Sequence, residues 1–184
     1  MLKYSSSEVI DWIEQHWQNL KLVRSMTPFL TDNACGYKDI ETAGYYKKSG
    51  YKASIRFEKP LTLELIKRFN LATHWVNQGF VVILFAYLDY CGVYDPDIYQ
   101  DIDGWYEINL LRWLRRWFAH TSGFYKPNDS EQRKTYERII DHFNLKEDDY
   151  PESAGLFPIP INDVLEPLVE GCKRYVRGLS DRNT

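Results

Sequence analysis

The sequence predicts an all-α fold, a bundle of four to five main helices with one long loop or hairpin insert at about residues 25–60. Three observations predict it. Apolar residues recur at helical spacing in successive stretches of the chain. Capping signals stand at the ends of those stretches. One segment, 25–60, lacks the helical period and collects Pro28, Gly36, Gly44 and Gly50 with Tyr37, Tyr45, Tyr46 and Tyr51. The 184 residues suit a single domain over the whole chain, 1–184.

The elements follow in order. Ser5 and Glu8 have capping-box spacing, and Val9, Ile10, Trp12, Ile13, Trp17 and Leu20 behind them predict a helix from about Ser6 to Arg24. Within the insert, Ala53 to Phe57 has the composition of a short strand. A second helix runs from Pro60 to about Cys91, with Gly79 as a bending point and Gly92 as its stop. An acidic, turn-rich segment, DPDIYQDIDG, precedes a third helix from about Trp105 to Thr121, for which Gly123 is a C-terminal cap. Asp129 or Ser130 caps a fourth helix that reaches about Phe143. A charged loop, KEDDYPESAG, leads into extended FPIPI, and a last helix spans about Asn162 to Gly178. Pro167 bends that helix unless it falls in the first turn.

Composition narrows the function classes. The net charge of -3, from 23 basic and 26 acidic residues, excludes a binder that coats nucleic acid with a basic surface. The charge is partitioned, however. Arg112, Arg115, Arg116, Lys126, Arg133, Lys134 and Arg138 outnumber Glu107, Asp129, Glu131 and Glu137 between residues 105 and 138. The insert is basic as well, with Lys38, Lys47, Lys48, Lys52, Arg56 and Lys59 against Asp39, Glu41 and Glu58. Its interleaved tyrosines suit single-stranded RNA, or simply a surface loop packed on the domain. Cys35, Cys91 and Cys172 form no metal or disulfide pattern, so reduced thiols and a cytoplasmic setting are expected. MLKYSSSEVIDW is no signal peptide, and the apolar run Phe80 to Leu88 is too short to span a bilayer, so a buried central helix is expected there. In DPDIYQDIDG the EF-hand register would place Tyr99 first and Leu110 twelfth, which rejects calcium of that type.

The third helix carries the chemistry. At about 100° per residue, Leu110, Leu111, Leu114, Trp117 and Phe118 form one apolar stripe, and Arg112, Arg115, Arg116, Ala119 and His120 fall on the opposite half. Three arginines this close repel one another, and Glu107 is the only acidic residue nearby on the helix. Such a face fits an anion site, most simply for phosphate. It equally fits a solvated face whose arginines meet carboxylates from elsewhere. A histidine beside arginines moves protons while the arginines hold a phosphate. Trp105 and Trp113 flank the stripe and are candidates for a dimer contact.

Arg115-Arg116-Trp117-Phe118-Ala119-His120 resembles the Arg-x4-His form of the HEPN motif, and the organisation of about residues 60–180 is similar to that family. Arg68 to His74 has a permitted spacing too, but lies mid-helix before an apolar run, where a structural histidine is expected. Two features depart from the family: the residue after the motif arginine is Arg116 rather than a small polar one, and position 122 is Ser, so the His-x-Tyr mark of silencing by a nucleotidyltransferase is missing. The resemblance implies a metal-independent endoribonuclease with no cofactor, often a toxin or antiphage component, acting as a homodimer whose motifs meet in one cleft. It implies His120 as general acid–base and Arg115 as holder of the scissile phosphate, with Arg112, Arg116 and Lys126 on flanking phosphates. An antitoxin or regulatory protein is an implied partner; a membrane is not. Arg115 and His120 diverge by about 140° on one helix, which suits a site completed by a two-fold mate. The alternative is a non-catalytic helical module that binds a protein partner or a nucleotide through the same cleft. His16 and His142 show no constellation in sequence and read as surface or helix-boundary residues.

Overall fold

The computed structural model describes residues 2–43, 52–94, 99–121, 123–146, 155–156 and 159–182. Among these the protein is all-α, with five α-helices and two small β-pairs. The chain divides into two compact units, residues 17–77 and residues 1–16 with 78–184.

Helix α1 spans Ser6–Met26. Its start is the capping box expected from Ser5 and Glu8: the Ser5 amide donates to Glu8 Oε2 at 2.9 Å, and the Glu8 amide donates to Ser5 Oγ at 3.3 Å. In the 17–77 unit the last part of α1 leads through a single 3-10 turn, Asp32–Ala34, into an antiparallel hairpin of β1 (Asp39–Ala43) and β2 (Lys52–Arg56). Asp39 faces Arg56 at its open end, and the two side chains pair at 3.2 Å. The insert is thus the hairpin form of the expectation, with the second strand one residue earlier than Ala53–Phe57. Lys47, Lys48, Tyr45, Tyr46 and Tyr51 lie outside the described residues. Helix α2, Leu63–Tyr90, begins here. Leu30, Leu61 and Ile66 make the local core, with Ile40, Phe57 and Phe69 packed against it.

Arg24 is fully buried in this unit, donates to the Thr27 carbonyl, and lies 5.1 Å from the Phe29 ring. His74 meets Phe29 edge-on at 4.6 Å. Burial, and then the Arg24 charge, push the His74 imidazole down to about 4. Folded protein therefore keeps His74 neutral at a pH where the unfolded chain, near 6.5, takes up a proton. Stability is whole above 6.5 and declines as pH falls toward 4, by about 1–2 kcal/mol once partial exposure is allowed for. His74→Phe, which keeps a ring against Phe29, is expected to flatten that part of a urea-stability curve measured from pH 7 to 4. An unchanged slope would refute the assignment. Arg68 is an exposed partner of Glu64 at 2.9 Å, so neither member of the Arg68–His74 pair is placed for chemistry.

In the second unit, α2 ends at Tyr90 with Gly92 at φ +74°. The Gly92 amide donates to the Asp89 carbonyl and the Val93 amide to the Leu88 carbonyl, closing the helix end in a left-handed cap that favours glycine. Helix α2 as a whole is long and apolar enough to cross a membrane by length and composition, and only 39% of its most apolar stretch is buried. The apolar run Phe80 to Leu88 is only part of that length; Phe80, Val81, Leu84 and Leu88 in it are buried, in keeping with the expected buried face, while Ile83 and, beyond the run, Tyr90 are exposed.

Helix α3 spans Trp105–Thr121, as expected, and Gly123 beyond it has φ +76°. Leu110, Leu111, Leu114, Trp117 and Phe118 are all buried. A two-residue strand β3 (Phe124–Tyr125) pairs with β4 (Gly155–Leu156), a contact that the loop composition did not signal. Helix α4, Ser130–His142, is capped by Asp129, whose side chain accepts from the amides of Glu131 and Gln132. The chain then enters one π-helical turn, Ile161–Leu165, and helix α5, Glu166–Asp181, three residues longer than expected at its end. The wide turn has a physical cause. Pro167 has no amide to offer the carbonyl four residues back, and its ring crowds that carbonyl, so the turn before it opens to the next spacing. Pro167 sits in the first turn of α5, directly after the π-helical turn. Most of KEDDYPESAG, the residues DPDI (95–98), Ser122, and Phe157 with Pro158 lie outside the described residues.

Candidate functional site

Helix α3 presents two charged flanks. Arg112, Arg115, Arg116, Ala119 and His120 are exposed, on the half of the helix opposite its buried stripe. Among the described residues no carboxylate pairs with Arg112, Arg115, Arg116 or His120. Along one flank the Arg112 guanidinium lies 5.4 Å from the Tyr94 ring and that of Arg115 lies 5.5 Å from the Phe85 ring. Phe85 and Tyr94 themselves meet edge-on at 5.1 Å. These are cation–π contacts on partly exposed rings.

The other flank opens into a cleft of about 390 Å³ between α3 and α4. Trp113, Arg116, Trp117 and His120 form its α3 wall. Asp129, Glu131, Gln132 and Thr135 form the α4 wall. The Asp129 carboxylate is engaged as a helix cap and also accepts from Gln132 Nε2 at 3.2 Å. Glu131 pairs with Lys134 at 3.5 Å on the exposed surface. Trp117 Nε1 donates to the Phe124 carbonyl at 3.0 Å, which ties β3 to the floor of α3. Arg138 places its guanidinium 3.9 Å from the centre of the Trp113 ring.

The sequence-derived set therefore separates. Arg116 and His120 share the cleft, being i and i+4 on one helix face. Arg115 and Arg112 face the rings of Phe85 and Tyr94 instead. Lys126 is exposed and outside the cleft lining; its amide donates to Gln132 Oε1 at 2.7 Å. Trp113 lines the cleft, and Trp105 meets Tyr106 edge-on at 6.3 Å.

His142 is exposed and is the last residue of α4, as expected, but it does have a constellation, built from residues far away in sequence. Its Nε2 lies 3.4 Å from Glu107 Oε1, and its ring stacks on Tyr106 at 4.4 Å. Glu107 is buried and also receives Arg174 at 2.8 Å, while Arg174 reaches Asp103 at 3.0 Å. Burial works against the Arg174 charge, but Asp103 and Glu107 outweigh it and raise its pKa. This cluster fastens the start of α3 to α5 and to the end of α4. Glu107, the lone acid on α3, is the one member of the cluster that stood out in sequence, and nothing there named its partners. Cys91 and Cys172 are buried free thiols, and burial pushes Cys172 far up. Among the described residues no group of three or more His, Cys, Asp or Glu side chains is placed to hold a metal ion.

Comparison with protein-family models, with curated proteins and with solved structures finds no match for this chain.

Proposed function

We propose that the protein is a metal-independent endoribonuclease of the HEPN type, working in the cytoplasm as a homodimer and belonging to a toxin or antiphage system with an antitoxin or regulatory partner. One observation supports this reading above the rest: three arginines and a histidine stand exposed on one helix without a carboxylate partner among the described residues.

The chemistry is a transfer within RNA. His120 accepts the proton of a ribose 2′-hydroxyl, the 2′-oxygen attacks the adjacent phosphorus, and the bond to the 5′-oxygen breaks. The leaving oxygen takes a proton, from the same imidazole or from that of a second copy, and the products are a cyclic phosphate and a 5′-hydroxyl. Arginine guanidinium groups hold the phosphate and stabilise the charge that builds on it. Arg116 is placed to do this beside its own His120. Arg115 faces the other way, so its part in the reaction is as a contribution to the site of a second copy. Arg112 and Lys126 are exposed outside the cleft, so in this reading they take phosphates further along the strand.

A second reading, a non-catalytic module binding a protein partner or a nucleotide, is favoured by the acidic α4 wall, since Asp129 and Glu131 oppose a long polyanion in the cleft. The experiment that separates the two is cleavage of single-stranded RNA in EDTA, with the oligomeric state measured by light scattering. A dimer that cuts supports the enzyme. A monomer at micromolar concentration, or an inert purified protein, supports the module.

A further inference from the structure

Strand β3 leaves one aromatic ring uncovered. Phe124 is 49% exposed, and its ring meets no other ring or cation among the described residues. Tyr125 beside it is buried, packed on Trp117 at 5.4 Å and on Tyr136 at 5.7 Å. Lys126 is exposed again, and its ammonium has no carboxylate partner among the described residues. The alternation of an extended chain therefore puts the Phe124 ring and the Lys126 side chain on one side. The backbone under them is held twice. Trp117 Nε1 donates to the Phe124 carbonyl at 3.0 Å, and the Lys126 amide donates to Gln132 Oε1 at 2.7 Å. Trp117 lines the cleft from α3 and Gln132 lines it from α4, so residues 124–126 border the cleft that holds Arg116 and His120. Just before them Gly123 turns at φ +76°, and the Gln78 carboxamide fills the space where its Cβ would stand.

We propose that Phe124 and Lys126 form a platform for single-stranded RNA beside the cleft, with one unpaired base stacked on the Phe124 ring and a backbone phosphate on Lys126. The proposal deepens the ribonuclease reading and rests on it for the link to RNA. A lone exposed ring needs no explanation. Here the ring has a free cation two residues on, and both stand on backbone fixed by the two walls of a cleft that carries Arg116 and His120. An aromatic plane with a neighbouring cation is the pairing that single strands use, since every base has a π face and every nucleotide a phosphate. The two side chains start roughly 6–7 Å apart along the chain, a separation that a base and a neighbouring phosphate of one strand can bridge. The fixed backbone means that little ordering is needed when the strand arrives. The platform also sets the substrate class. In a duplex both faces of each internal base are already stacked, so the Phe124 ring would have nothing to cover.

The test is fluorescence anisotropy of the full chain with a labelled 2′-O-methyl oligoadenylate of about twelve nucleotides, which lacks the attacking hydroxyl, and with its duplex. Phe124→Ala is expected to weaken the single strand by about tenfold, and Phe124→Leu, which keeps apolar bulk without a planar face, nearly as much. Phe124→Trp is expected to bind at least as tightly as the parent. Lys126→Ala is expected to lower the slope of log affinity against log salt by about 0.7, and Phe124→Ala to leave that slope alone. All four variants keep the melting temperature of the parent, because the contacts at 124 and 126 are made by backbone atoms. A parent that does not bind the single strand at high micromolar concentration overturns the proposal. So does a folded Phe124→Ala or Phe124→Leu that binds like the parent, or a duplex whose binding is equally sensitive to Phe124→Ala. A Phe124→Ala protein that keeps its binding but changes its mass in light scattering assigns the ring to a protein contact, and also overturns it. Cleavage of unmodified RNA in EDTA is scored separately. Binding without cleavage leaves the platform standing and defeats the ribonuclease reading; cleavage that Phe124→Ala leaves unchanged does the reverse.

Discussion

His120→Ala is expected to lower RNA cleavage in EDTA by about 10²–10⁴-fold while leaving the melting temperature unchanged. The first half follows from the role of the imidazole: among the described residues lining the cleft, it is the one base that is neither a cap nor part of an ion pair. The second half follows from exposure, since the His120 side chain makes no hydrogen bond among the described residues. Arg115→Ala is expected to lose about 10²–10³-fold by removing a charge from the transition state. The orientation of Arg115 toward Phe85 adds a sharper expectation. If each site takes His120 from one copy and Arg115 from another, mixing the two inactive variants creates hybrid dimers with one intact site. Half of the dimers in an equal mixture are hybrids, so about one quarter of the parent activity returns. A mixture as inactive as its components would show that Arg115 does not act across the dimer. Activity in His120→Ala equal to the parent would remove the imidazole from the mechanism.

Local signals carried most of the fold. Ser5 with Glu8, Asp129, and Gly92 each mark a helix end through contacts with near neighbours, and each is visible in a few residues of sequence. The two faces of α3 were legible for the same reason, because a helical period of apolar residues depends on one element alone. What was hidden depends on partners distant along the chain. Glu107 and Arg174 are 67 residues apart, and nothing in either segment announces the other. His142 was read as isolated since its neighbours Asp141 and Phe143 say nothing about Tyr106. The β3–β4 pair is two residues long and has no alternation to detect. The candidate site was half legible. Motif spacing selects Arg115 with His120, whereas helix geometry places Arg116 beside it, since four residues return to the same face and five do not. The angle between Arg115 and His120 was available from the sequence; that a cleft opens on the side of Arg116 was not, because it requires α4.

The same dependence on distant packing makes Gly104→Ala the substitution expected to damage the fold most. Gly104 closes the turn before α3 at φ +90°, where a side chain is strained, and its position against α5 is closer still. An added Cβ would stand 2.0 Å from the Gly171 carbonyl oxygen and 2.8 Å from the Tyr175 amide nitrogen. Both are backbone atoms of a buried helix, so no side chain can rotate away. Either α5 moves, breaking the Glu107–Arg174 contact that bridges the two helices, or the turn does. Backbone strain and forced repacking together predict a loss of about 3–5 kcal/mol. For a chain of this size that lowers the melting temperature by about 10 °C or more. Gly79→Ala is the matched control, since it lies inside α2 with nothing near its Cβ position. There the substitution removes backbone freedom from the unfolded chain and is expected to stabilise by about 0.5–1 kcal/mol. Thermal melts of the two variants beside the parent check both signs at once. A Gly104→Ala protein that melts within about 2 °C of the parent would mean that α3 and α5 do not meet at Gly171.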